Sequence, residues 1–257
     1  MREAIDGLLD TLEAEHCCRV LFAVESGSRA WGFASPDSDY DVRFIYAQPL
    51  EWYLRVKPGS DTIERMAPGD LDFGGWELRK ALALMSGGNV PLLEWLGSPI
   101  IYRDREGVLA AMQARVVDCF NARKGYHHYH RMASGVAEKH LIGNRIGIKK
   151  LFYIVRPLLA CRWIECRHSM PPTDFHKMLG LGLIDAATEN WIQAQLAAKA
   201  DLPEGAPVEI PDTVSGWITE ALSDTASRLE SIPVPTSLDH AQLDNLLYRI
   251  VSASKEG

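Results

Sequence analysis

Apolar residues return at helical spacing at the start of the chain. Ile5, Leu8, Leu9 and Leu12 fall on one face of residues 2–15, between acidic positions, and predict an amphipathic helix. The pattern then changes. Residues 18–25, CRVLFAVE, form an unbroken run rich in Val, Leu and Phe, the composition of a buried strand. SGSRAWGF reads as a turn entering a short helix, SPDSD as turn chemistry, and YDVRFIYA (40–47) as a second strand with alternating faces. DTIERMA (61–67) and DLDFGGWEL (70–78) predict two short strands around the turn PGD. A helix from Glu77 to Met85 stopped by SGGN, a short proline-opened helix in VPLLEWLGS, and a strand in PIIYRD follow.

Beyond residue 105 the period is helical almost throughout. Helices are expected over 106–120, 124–141, 145–166, 185–200, 213–230 and 237–253, with breaks at Pro171–Pro172 and in LPEGAPVEIP (202–211). No internal repeat or low-complexity segment interrupts this order. The expectation is an α+β chain: a small mixed-sheet domain over 1–104, then an all-helical domain over 105–257.

Composition narrows the function classes. Apolar residues make up 47% of the 257 positions, enough for a core and too many for wholesale disorder. No apolar run has the length of a membrane span, and MREAIDGLLDTLEAEH lacks the basic and apolar regions of a secretory signal. Cys17, Cys18, Cys119, Cys161 and Cys166 are scattered without zinc spacing, which fits a reducing, cytoplasmic setting. The net charge of −7 hides an asymmetry: residues 121–168 carry ten Lys/Arg against two Asp/Glu, whereas 1–120 carry twelve against nineteen and 169–257 five against thirteen. That central block is either a solvated helical face or a local site for phosphates.

The chemistry concentrates in VESGSRAWGFASPDSDYDVRFIY, residues 24–46. Strand alternation puts Asp39, Asp41 and Arg43 on one side and Tyr40, Val42 and Phe44 on the other. Two carboxylates that close repel each other unless a cation lies between them, and hard oxygen donors suit Mg²⁺ or Mn²⁺. Gly27 lets a backbone approach a ligand closely, Ser28 adds an N–H and a hydroxyl, and a helix starting there would aim free N–H groups at an anion. Arg29 and Arg43 can neutralise phosphate through a bidentate fork; Arg43 can equally serve as the aspartates' own partner. Trp31 and Phe33 read as core groups.

A Gly-Ser pair, ten residues, then Asp-x-Asp resembles the signature of the DNA polymerase β-like nucleotidyltransferase superfamily. The string SGSRAWGFASPDSDYDVRF, with LDFGGWELRKALALMSGGNVPLLEWLGSPIIY and KKLFYIVRPLLACRWIE, is similar to a bacterial and phage branch associated with RNA ligases and RNA repair. The likeness covers most of residues 20–175. It implies a polymerase β-like palm and a third carboxylate, matched by Asp72; Asp70 sits in the turn and Glu77 in the first turn of a helix. It further implies two Mg²⁺ or Mn²⁺ ions held by Asp39, Asp41 and Asp72, with Gly27 and Ser28 on the terminal phosphates. Relatives use a Lys and a Tyr from a later helix to hold the nucleotide, and Lys149 or Lys150 with Tyr153 match. The implied reaction moves a nucleoside monophosphate from a nucleoside triphosphate such as ATP onto an acceptor hydroxyl and releases pyrophosphate.

The acceptor stays open: an RNA end by family association, otherwise a small molecule or a protein. A reading from another class is a catalytically silent nucleotide-binding module, disfavoured because all three carboxylates are present. Lys149, Tyr153 and Arg156 share one helix face, which also fits a solvated basic stripe. His127, His128, His130 and His140 lack an HExxH pattern, and His127 and His130 share a face with no clear third ligand, so an exposed helix or an acceptor surface is the better reading than zinc.

Overall fold

In the computed structural model, which describes residues 1–223, 225–233 and 240–253, helix α1 (Arg2–His16) buries Ile5, Leu9 and Leu12. It ends at Cys17, whose left-handed backbone returns its N–H to the Glu13 carbonyl. Strand β1 (Arg19–Glu25) follows, buried along nearly its whole length. A single helical turn, α2 (Gly27–Ala30), precedes β2 (Tyr40–Ala47), α3 (Leu50–Tyr53), β3 (Thr62–Ala67) and β4 (Leu71–Glu77). Then come α4 (Leu78–Ser86), α5 (Val90–Leu96), β5 (Ile101–Asp104), α6 (Val108–Gln113) and α7 (Val116–Cys119).

The strands form a five-stranded mixed sheet in the order β3-β4-β2-β1-β5. β2 and β4 run parallel, and the other neighbours are antiparallel. One face is apolar: Val20, Val42, Phe44, Tyr46 and Phe73 pack with Ile5, Leu9 and Leu12 of α1. Burial of each such side chain stabilises by roughly 1.5–3 kcal/mol. Gly75 is forced by this packing, since a Cβ there would stand 2.2 Å from Cε2 of Phe44. Alternation then sends Asp41, Arg43, Asp72 and Gly74 to the opposite face.

The remaining elements are α8 (Ala122–His140), β6 (Arg145–Gly147), α9 (Ile148–Arg167), a 3₁₀ turn (Phe175–Met178), α10 (Ala186–Lys199), β7 (Pro207–Glu209), α11 (Asp212–Leu222), α12 (Thr225–Glu230) and α13 (His240–Ala253). α9 runs unbroken through Pro157. Three expectations change. The helix expected over 106–120 divides into α6 and α7. Residues 145–147 pair with 207–209 as a ribbon instead of opening a helix, because Ile146 and Val208 bury each other's side of the pairing. The helix expected over 213–230 divides around Ser223, with residue 224 outside the described residues, as are 237–239 of the last predicted helix. Among the described residues no helix is long and apolar enough to cross a membrane.

Packing divides the chain into two compact units. The first holds Met1–Gly27, Asp39–Cys119 and α13; the second holds Ser28–Ser38 and the elements from Phe120 through α12. The units do not follow a simple boundary at 104/105. α6 stays with the sheet because Val108, Leu109 and Met112 are buried there. Residues 28–38 belong to the second unit because Trp31 and Phe33 pack among Phe152, Tyr153 and Phe175.

Candidate active site

The parallel register of β2 and β4 sets Asp41 opposite Asp72. Neighbouring strands lie about 4.8 Å apart, so the two carboxylates rise side by side from the polar face. Between them stands Arg43. Its Nη2 donates to Asp41 Oδ1 at 3.0 Å and to Asp72 Oδ2 at 2.7 Å, while Nη1 donates to the Asp72 carbonyl at 3.0 Å. All three side chains are partly exposed, at 19% for Arg43, 31% for Asp41 and 36% for Asp72. At such exposure an ion pair orders geometry more than it adds stability.

Asp41 is also held from behind. Its carbonyl accepts from Ser26 N at 2.8 Å, and its N–H donates to Glu25 Oε1 at 2.7 Å. Glu25 is fully buried at the end of β1, and Tyr102 donates its hydroxyl to the other carboxylate oxygen. Burial pushes the Glu25 carboxyl above its usual range, against the opposing pull of the bond from Tyr102 and the Asp41 N–H. Gly27 has φ +59°, and a Cβ on it would lie 2.2 Å from Asp41 Oδ2. The Asp41 carboxylate therefore rests on bare backbone, and any side chain at 27 would displace it.

The other acids near this face differ in placement. Asp39 is exposed and precedes β2 by one residue. Asp70 sits in the β3–β4 turn at φ +56°, its carbonyl accepting from Tyr40 N. Glu77 caps α4, accepting from the N–H groups of Arg79 and Lys80. Asp41 and Asp72 thus offer hard oxygen donors to one point that a guanidinium now holds. Carboxylate oxygens are the donor type that divalent cations such as Mg²⁺ take. Among the described residues, no group of three or more His, Cys, Asp or Glu side chains is drawn together as a finished metal cage.

The glycine turn enters a short helix, as the sequence suggests. α2 is one turn long, and its end folds back with Gly32 N–H on the Arg29 carbonyl and Phe33 N–H on the Ser28 carbonyl. One turn has little macrodipole to offer an anion. Ser28 is buried, and Arg29 donates to the Ser38 carbonyl at 2.6 Å.

In the second unit, Lys149 pairs with Glu204. Lys150 places its ammonium 5.6 Å from the centre of the Tyr153 ring, and Tyr153 meets Trp31 edge-on at 5.2 Å. Arg156 is not on a solvated stripe: it is fully buried, with its guanidinium 4.4 Å from the Trp31 ring centre and Nη2 on the Thr173 carbonyl. His130 reaches the Leu222 carbonyl and stacks near Tyr126. Sequence reasoning passed over Glu25 and Lys199. Lys199 is 1% exposed and donates to Ser35 Oγ at 2.6 Å; burial holds its ammonium below the usual lysine range. Its signal was a single cation in the run QLAAKA.

Comparison with known proteins identifies the family. Residues 1–249 match the family described as the RNA repair pathway DNA polymerase beta family. An uncharacterized protein of Bacillus subtilis, YcgL, is 35% identical over 258 aligned residues, covering all of this chain and 89% of that protein. A nucleotidyltransferase-like protein from Exiguobacterium sibiricum aligns over 98% of this chain and 81% of its own, at 13% identity and a TM-score of 0.32, too low to carry an argument. With the family match spanning nearly the whole chain, the protein belongs to the RNA repair pathway DNA polymerase beta family.

Proposed function

We propose that the protein is a metal-dependent nucleotidyltransferase that moves a nucleoside monophosphate from a nucleoside triphosphate to an acceptor hydroxyl, with an RNA end as the acceptor. The observation that carries this reading is the convergence of Asp41 and Asp72, from adjacent parallel strands, on the single cationic group of Arg43. Asp41 and Asp72, with Asp39 just upstream, would hold Mg²⁺ or Mn²⁺, which when bound neutralises phosphate charge and aligns an in-line displacement.

The chain's own residues do the rest. Asp72 accepts the proton of the attacking hydroxyl. The freed oxygen bonds to the α-phosphorus, the bond to the bridging oxygen breaks, and pyrophosphate leaves. Gly27 and Ser28 border the phosphates. Arg43, released from the two carboxylates, supplies a fork for phosphate oxygens, and Arg29 is assigned a similar role. Lys149, Lys150 and Tyr153 are proposed nucleotide contacts.

The test is label transfer from each α-labelled nucleoside triphosphate, with Mg²⁺ or Mn²⁺, to RNA ends, small hydroxyl compounds and proteins. Asp41→Asn and Asp72→Asn should each lower transfer by roughly 10³-fold, with melting temperatures close to that of the unmodified protein because both groups are partly exposed. Transfer that survives either change would sink the assignment. A second reading, nucleotide binding without transfer, draws on the position of Asp39 outside β2. It predicts metal-dependent nucleotide binding and no labelled product with any acceptor.

A further inference from the structure

A groove of about 550 Å³ opens on the polar face of the sheet beside Asp72. Along β4, alternation sets Asp72, Gly74 and Trp76 on that face. β3 borders them, with Glu64 opposite Gly74 and Thr62 opposite Trp76. Gly74 leaves the floor bare: a Cβ there would stand 3.3 Å from Cδ of Arg43. At the far end Trp76, partly exposed, lies on the buried Trp95 with ring centres 4.0 Å apart and planes 30° apart. From Asp72 to Trp76 the strand rises about 13 Å.

A carboxylate, a side-chain-free floor and a braced indole therefore follow one another in a line. The Trp76 end of the groove offers a polyphosphate little: Glu64 borders it, Arg65 is paired with Glu15, and Arg43, the cation given to the triphosphate, lies at the Asp72 end. An uncharged planar ring with a hydroxyl suits it better. The ring stacks on Trp76, which Trp95 keeps from turning away, and the hydroxyl points toward Asp72.

We propose that this groove is the acceptor subsite and that it takes a terminal nucleoside, its base on Trp76 and its sugar hydroxyl at Asp72. The proposal rests on the nucleotidyltransferase reading of the same carboxylates. It accounts for a stacked tryptophan pair at the far end of a groove that begins at Asp72, and it gives the acceptor a ring.

The experiment titrates a ribodinucleotide into the full chain without nucleoside triphosphate and follows tryptophan fluorescence, then measures acceptor KM in the transfer assay. Saturable quenching is expected, with weak salt dependence because the contact is stacking and not phosphate neutralisation. Trp76→Leu should abolish the quench and raise acceptor KM about tenfold, leaving the triphosphate KM unchanged. Trp76→Phe, which keeps a ring, should fall between. Asp41→Asn should keep the quench while losing transfer. Quenching that persists undiminished in both Trp76 variants overturns the subsite, as does efficient transfer to a ringless polyol with a KM indifferent to Trp76→Leu; in that second case the transferase reading stands. A dinucleotide quench that depends on Trp76, with no transfer by the unmodified protein, overturns the transferase reading and leaves the groove as a nucleoside-binding site.

Discussion

Gly27 and Lys199 show how single residues set this molecule's limits. Gly27 is bare so that the Asp41 carboxylate can lie against it. Lys199 is a cation buried for its bond to Ser35, with Ser38 and Glu204 hydrogen-bonded close by. Because its folded-state pKa is depressed from 10.5, the unfolded chain binds the extra proton more readily. That costs stability at neutral pH, and the cost is relieved as pH rises toward the ordinary lysine value. Lys199→Met removes the titration. The stability of that variant relative to the unmodified protein, from urea unfolding at pH 7 and pH 10, should fall as pH rises. A difference that does not change with pH would show that Lys199 is not held in this way. Neither residue is fully legible in sequence. Gly27 stands out as glycine, but its contact depends on where β2 returns, and nothing local marks Lys199 as buried.

At the level of elements, the alternation of YDVRFIYA and LDFGGWEL is plain in the sequence, and so is the side on which Asp41 and Asp72 lie. What the sequence does not contain is the register. Arg43 bridges Asp41 and Asp72 because β2 and β4 pair in parallel with those two residues opposite, a long-range choice made by the apolar face. Gly75 belongs to that choice, since Phe44 occupies the space its side chain would need. Gly75→Ala should therefore cost about 2–3 kcal/mol and lower the melting temperature by several degrees; an unchanged melt would mean that Phe44 has room to move. The ribbon of β6 and β7 was hidden for a related reason. Three residues carry too little pattern to compete with a helical neighbourhood, and only their pairing makes them strands.

For the whole molecule, the α+β class could be read from the change of period near residue 105, but the division into units could not. Packing assigns 28–38 to one unit and α13 to the other, and no local signal in either segment names its destination. α13 buries Leu243, Leu246, Ile250 and Val251, and Arg19 donates to the Ile250 carbonyl. Ending the chain after residue 233 should destabilise the sheet-bearing unit by on the order of 5 kcal/mol. Differential scanning calorimetry would show this as a transition moved to lower temperature. A curve indistinguishable from that of the longer chain would remove α13 from the unit.

The packing of α13 on α4 has a consequence in time as well as in space. Ser86 ends one helix and His240 begins the other. A ribosome adding about 5–20 residues per second needs roughly eight to thirty seconds to cross that interval. Throughout it, the surface of α4 that α13 will cover stays uncovered on the growing polypeptide, a standing invitation to chaperones or to premature association with a neighbouring nascent chain.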